Sequence, residues 1–145
     1  MKAKEAAQKE IRYVVTLTDD QARMVGEACE LYARLKIGQF ERISELMLDV
    51  KDVDQYCQRR DIANDLLRTV ACVIFGRNIN GYPHAQKDAK HHRAWNIYHA
   101  LRYKRAWHEN PKGGWGVCYD KPYPYGGEPV PDVEIKYVEK AVDKK

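Results

Sequence analysis

The sequence predicts an α+β fold, mainly helical, with about four helices and a small antiparallel sheet. Three observations point there. Apolar residues recur at three- and four-residue spacing in four separate stretches, the period of a helix with a buried side. Apolar residues alternate or cluster in three short runs, 11–17, 115–119 and 133–137, as in strands with one buried face. The connectors are rich in Gly, Pro and Asn, which end elements rather than extend them. A length of 145 residues suits one ordinary domain. The expected organisation is a flexible segment 1–10, a single α+β domain over 11–138 and a mobile charged tail 139–145.

The elements follow in order. Ile11, Tyr13, Val15 and Leu17 share one side of the first strand. Thr18 and, three residues later, Gln21 form a capping box that opens a helix, with Asp19 and Asp20 in the first turn, where the helix dipole favours acids. This helix runs to about Lys36 and ends near Gly38. Ala22, Gly26, Cys29 and Ala33 make one face of small residues, open to close approach by another helix. Met24, Ala28, Leu31 and Leu35 make an opposite face that is also apolar. Such a helix is covered on two sides, either as the central helix of the fold or by a second subunit.

A short helix from Gln39 to about Leu48 turns Phe40, Ile43, Leu46 and Met47 inward. An acidic connector, 49–54, leads to a third helix that begins near Tyr56 or Asp61 and ends at Phe75. Its wide apolar stripe is Ile62, Leu66, Val70, Val73 and Ile74, and Gly76 caps it. Residues 77–85 form a loop. The fourth helix runs from about Gln86 to His108, with Ala94, Ile97, Tyr98 and Leu101 as its apolar stripe. Pro111, Gly113 and Gly114 stop it. Residues 115–119 read as a strand that pairs with the first. Prolines keep 121–129 out of a sheet interior, and 133–137 reads as an edge strand.

Composition narrows the function classes. Leu, Ile, Val and Phe together make up about a fifth of the chain, a lean supply for a core. Tyr, Trp, Ala and Cys must supply part of the interior, and a homo-oligomer is expected to supply more. No run approaches the roughly 18 apolar residues of a spanning helix. The first residues lack the apolar stretch of a secretory signal, so a cytoplasmic location without membrane association is expected. Cys29, Cys57, Cys72 and Cys118 are widely spaced and read as reduced, packed thiols.

No cofactor or metal is expected. His92 and His99 are seven residues apart, where two helical ligands usually stand three or four apart, and Asp88 adds a single carboxylate. Asp49, Asp52 and Asp54 read as a solvated connector. There is no Gly-x-Ser-x-Gly nucleophile elbow and no Gly-x-x-x-x-Gly-Lys phosphate loop. Cys72 sits in an apolar run unsuited to a thiolate.

Charge is the most informative feature. The net charge of +4 is concentrated between His84 and His108, where six basic residues face the single acid Asp88, a net of +5. All five histidines fall in the same window. Along the fourth helix, His91, Trp95, Tyr98, Arg102 and Arg105 follow at intervals of 4, 3, 4 and 3 and share one side. Guanidinium groups grip phosphate through a planar fork of donors, and aromatic rings stack on bases. These five residues are the expected ligand-binding set, packed against the Gly- and Tyr-rich segment 113–127. Arg93 and Lys104 point elsewhere.

Several strings resemble a family of small bacteriophage and prophage proteins. They are Leu17-Thr18-Asp19-Asp20-Gln21-Ala22, Leu35-Lys36-Ile37-Gly38-Gln39-Phe40-Glu41, Ala94-Trp95-Asn96-Ile97-Tyr98 continuing to Ala106-Trp107, Gly113-Gly114, and Tyr119-Asp120-Lys121-Pro122. The resemblance spans about residues 11–131. It implies an early or accessory phage protein that acts on the host, in the host cytoplasm, rather than building the virion. Several unrelated small, basic, oligomeric phage proteins share one role, sequestering nucleotide signals of host defence such as cyclic dinucleotides or ADP-ribose derivatives. The resemblance brings no binding motif, so the site residues rest on helical geometry.

The expected function is therefore non-catalytic sequestration of a phosphorylated nucleotide. The alternatives are a nucleotide or phosphodiester hydrolase, with His91 or His99 as acid or base and Arg102 on the phosphate, and a DNA- or host-protein-binding module.

Overall fold

A computed structural model describes residues 11–138. The expectations for 1–10 and 139–145 lie outside the described residues. Among the described residues four α-helices form, where local signals are strongest. α1 spans Asp19–Lys36, and its capping box is complete: Thr18 Oγ1 accepts from the Gln21 N–H, and the Thr18 N–H donates to Gln21 Oε1 at 2.9 Å. The chain leaves α1 through Gly38 at φ +80°, a conformation that costs a residue with a Cβ. The Gly38 and Gln39 N–H groups close on the Leu35 and Arg34 carbonyls.

α2 spans Glu41–Met47. α3 spans Val53–Phe75 and starts earlier than the apolar stripe suggests, because the Asp52 carboxylate accepts from the Gln55 N–H and caps it. Part of the acidic connector is thus helix. α4 spans Ala89–Glu109, capped by Asp88, which accepts from the His91 N–H at 2.8 Å. None of the described helices is long and apolar enough to cross a membrane.

The expected antiparallel sheet does not form. Among the described residues there is no strand, only one isolated antiparallel bridge between Arg77 and Pro83. A strand needs a partner to take its backbone donors and acceptors, and none of the three runs finds one. Residues 11–17 form no regular element and are exposed along their length, with Val14 at 95%. Residues 117–119 wind into a 3₁₀ turn, where Trp107 Nε1 donates to the Tyr119 carbonyl at 3.2 Å. The Tyr119 ring packs closely over Gly114 and would block a Cβ there. Residues 133–137 form no regular element. The fold is helical rather than α+β.

The dominant packing is α1 against α4, with the 3₁₀ turn on α4; among the described helices α3 packs on α2 alone. The small face of α1 makes this approach possible: Ala33 is fully buried against an α4 that brings Ala94 and Ala100. The interior is small and partly polar. Glu30, Ser44, His91 and Asn96 are buried beside Ala33, Ala71, Cys72, Ala94 and Ala100.

Asn96, 1% exposed, ties the C-terminal segment to α4. Its amide donates to the Glu128 carbonyl at 2.8 Å, and its carbonyl accepts from the Tyr125 N–H at 3.1 Å. Arg93 and Glu128 pair twice above it, at 2.7 and 2.9 Å. Gly126, at φ +59°, lies under the His92 ring, which leaves no room for a Cβ.

Candidate functional site

The α1–α4 contact divides the five expected ligand residues into two groups. His91 and Trp95 belong to the packing. His91 is 3% exposed, and its Nδ1 lies 2.8 Å from the Ala33 carbonyl oxygen, a bond that joins the two helices. The ring stacks on Trp95 at 5.9 Å, and Trp95 in turn meets Tyr98, His99 and the Arg34 guanidinium. Tyr98, Arg102 and Arg105 stand further along α4 and line a cleft of about 370 Å³. The opposite wall is α1, through Arg23, Gly26, Glu27 and Glu30. Arg42 from the start of α2 and Cys118 and Tyr119 from the 3₁₀ turn complete the lining.

Arg102 is placed by two contacts. It lies 5.1 Å from the centre of the Tyr98 ring, its Nη2 donates to the Val117 carbonyl at 3.3 Å, and its Nε–H is buried. That Nε–H has no acceptor among the described residues, and the same holds for the buried Nε–H of Arg42. Arg42 is otherwise engaged: Nη2 donates to Glu30 at 2.9 Å and Nη1 to Glu45 at 2.8 Å. Glu30 is buried, and its second oxygen accepts from Arg34 at 3.0 Å. The glutamate is thus held between two arginines, which compensates its loss of water. Arg105 bridges Asp19 and Glu109, both at 2.9 Å, so it clamps the start of α1 to the end of α4. The Arg105 hydrogen bond and charge hold the Asp19 carboxyl below its usual range.

Four arginines and three glutamates line the cleft, leaving one positive charge in excess. Gly26 keeps the wall open. A Cβ built there meets nothing within 4 Å, so any side chain at 26 grows into free space.

Histidine chemistry lies elsewhere. His99 packs among Trp95, Tyr98 and Tyr125, away from the cleft lining. Burial, and then the charge of Arg102, push its imidazole down to about 4, so it is neutral at pH 7. Among the described residues, no group of three or more His, Cys, Asp or Glu side chains is arranged to hold a metal ion. A second hollow, lined mainly by apolar atoms of Val25, Ala28, Tyr32 and Ile97, lies along the other flank of the α1–α4 pair.

Sequence reasoning missed Arg23, Glu30 and Arg42. A signal existed for the first two: Arg23, Glu27 and Glu30 follow at four and three residues beside the small face of α1. None existed for Arg42, which reaches the cleft only because the chain reverses at Gly38. No family model, curated protein or solved structure matches the chain, so the reading of what it does rests on this geometry.

Proposed function

We propose that the chain binds a small phosphorylated nucleotide in the α1–α4 cleft and releases it unchanged. The observation that supports this reading is the pair of buried, acceptor-free Nε–H groups on Arg42 and Arg102, two residues that line one cleft. A buried donor left unpaired costs about 1–3 kcal/mol, and a ligand oxygen that reaches either one removes that cost. Phosphate suits the guanidinium fork in charge and shape. Tyr98 offers a ring beside Arg102 for a base, and Arg105 adds positive potential. The cleft falls within the usual size range of small-molecule sites, about 300–1,000 Å³. In this reading His91 and Trp95 serve the site by fixing α4 on α1.

Sequestration is preferred to hydrolysis because no histidine lines the cleft. The resemblance to small phage and prophage proteins extends the proposal to a ligand class. The ligand is a cyclic dinucleotide or ADP-ribose derivative made in host defence, held by a phage accessory protein in the host cytoplasm.

Isothermal titration against cyclic dinucleotides, ADP-ribose and nucleoside monophosphates tests this. At least one is expected to bind, and Arg102→Met is expected to weaken it roughly 10- to 100-fold, the worth of a charged hydrogen bond. Gly26→Leu is expected to block binding while keeping or raising helix stability, since Leu is the better helix former. Ligand recovered intact after denaturation supports a sequestering role, and recovered product marks a hydrolase. Failure of every nucleotide to bind, or binding unchanged in both variants, overturns the proposal.

A further inference from the structure

Trp115 is fully exposed, an unusual place for the largest aromatic side chain. Among the described residues no ring, cation or hydrogen bond engages it. The chain nevertheless tethers it beside the cleft. Two positions on, the Val117 carbonyl accepts from Arg102 Nη2 at 3.3 Å, and Cys118 and Tyr119 line the cleft wall. A step of two residues spans at most about 7 Å, so the Trp115 backbone stays next to the turn that Arg102 holds.

The loop that carries Trp115 is anchored on both sides. Gly113 lies against the Trp107 ring and Gly114 against the Tyr119 ring, each too close for an unstrained Cβ. Trp107 and Tyr119 meet edge to face at 5.5 Å, and Trp107 Nε1 donates to the Tyr119 carbonyl. Gly116 is different. A Cβ there would meet nothing within 4 Å, so packing does not call for glycine. The backbone does, since φ is +120°, a value that residues with a side chain rarely adopt. Trp115 thus stands on a short arch, with a glycine on each side and its stems fixed on the last turns of α4.

We propose that Trp115 is the base-stacking residue of the cleft, a role that rests on the cleft being the nucleotide site. The indole folds over the base while Arg42 and Arg102 hold the phosphate, so the site selects base-bearing phosphates over sugar phosphates. Tyr98, the aromatic ring of the α4 wall, is already shared with the Arg102 guanidinium at 5.1 Å. Both faces of the Trp115 indole are open. Stacking on it also takes apolar surface out of water, and every base offers a π face to do so. Arg102 joins the two ends of the site, because one guanidinium both lines the cleft and holds the arch through Val117.

Calorimetric titration of the full chain with adenosine 5′-monophosphate, cyclic di-AMP and ADP-ribose tests this, with ribose 5-phosphate as the base-free control. For the nucleotide that binds most tightly, Trp115→Ala is expected to weaken affinity roughly 5- to 150-fold, the worth of one stacked base. Binding of ribose 5-phosphate is expected to be unchanged, and Trp115→Phe to restore most of the nucleotide affinity. Far-ultraviolet helicity is expected to stay the same in both variants, since the ring has no contacts to lose. Nucleotide is also expected to shift tryptophan emission to the blue and shield it from acrylamide, a change lost in Trp115→Phe, which keeps Trp95 and Trp107. Unchanged nucleotide affinity in Trp115→Ala, or a spectral change of the same size in Trp115→Phe, overturns the role of Trp115 and leaves the cleft as the nucleotide site. If none of the three nucleotides binds the unsubstituted chain, the cleft itself is misassigned and the stacking role falls with it.

Discussion

α4 and α3 are nearly equal in length, 21 and 23 residues, and opposite in fate. α4 is the more polar helix and the better buried. α1 covers one side, the 3₁₀ turn another, and the segment around Tyr125 and Glu128 a third. Its buried residues are His91, Ala94, Asn96 and Ala100. α3 has the continuous aliphatic stripe, yet only Ala71 and Cys72 are buried. It is held to α2 by the Ser44 hydroxyl on Asn64, at 2.5 Å, and by the edge-to-face ring pair of Phe40 and Phe75. Hydrophobicity therefore does not rank these helices by burial. Small residues let backbones approach, and buried polar side chains fix them; α4 has both. A helix rich in large aliphatic groups without such anchors stays largely exposed.

The contrast predicts unequal responses to substitution. The largest effect belongs to α4. Asn96→Leu keeps the volume but strands the Tyr125 N–H and the Glu128 carbonyl, and is expected to cost about 3 kcal/mol in urea unfolding. A loss under about 1 kcal/mol would mean that the C-terminal segment is not held by this side chain.

Next comes a pH effect at His99. Its folded value of about 4 lies below the ordinary 6.5, so as pH falls the unfolded chain takes the proton first. The stabilising contribution of the neutral ring is complete above pH 6.5 and is lost as pH falls towards 4. The ring is half-buried, so the loss discounted for solvent screening is about 1 kcal/mol. His99→Gln is expected to flatten stability between pH 6.5 and 4.5. Asp88, held at about 2 by Lys36 and the His91 N–H, and Glu128, lowered by Arg93, lose their contributions at lower pH. A slope that persists in the variant assigns the effect to another group.

The smallest effect belongs to α3. In a single chain, Val73→Ala removes a methyl pair that is mostly in water already and gains helix propensity, for a net change within about 0.5 kcal/mol. A loss above about 1 kcal/mol in urea unfolding would mean that Val73 is covered rather than exposed.

The helices were legible because their signals are local. Thr18 with Gln21 and Gly76 after Phe75 act within a turn of the chain they start or stop; Asp88 does the same for α4, whose start was expected three residues earlier at Gln86. The sheet was misread for the converse reason. Alternation in residues 11–17 records a preference for one-sided burial, but a strand exists only when distant backbone completes its ladder, and here none does. Half of the candidate site was legible on the same terms: Tyr98, Arg102 and Arg105 share a helix side by spacing alone. The separate fate of His91 and Trp95 was not, since a residue on that side faces either the cleft or α1 according to how the two helices cross.

What the sequence determined by itself was the four helical stretches, both ends of α1, the end of α3 and the placing of positive charge and aromatic rings along α4. These depend on neighbours within four or five residues. The tertiary structure alone decided that Arg42 of α2 joins Arg102 across a cleft kept open by Gly26, and that α3 faces water. Both depend on contacts between residues far apart in the chain, whose free energy comes from packing, desolvation and paired charge, none of which is written in any single segment.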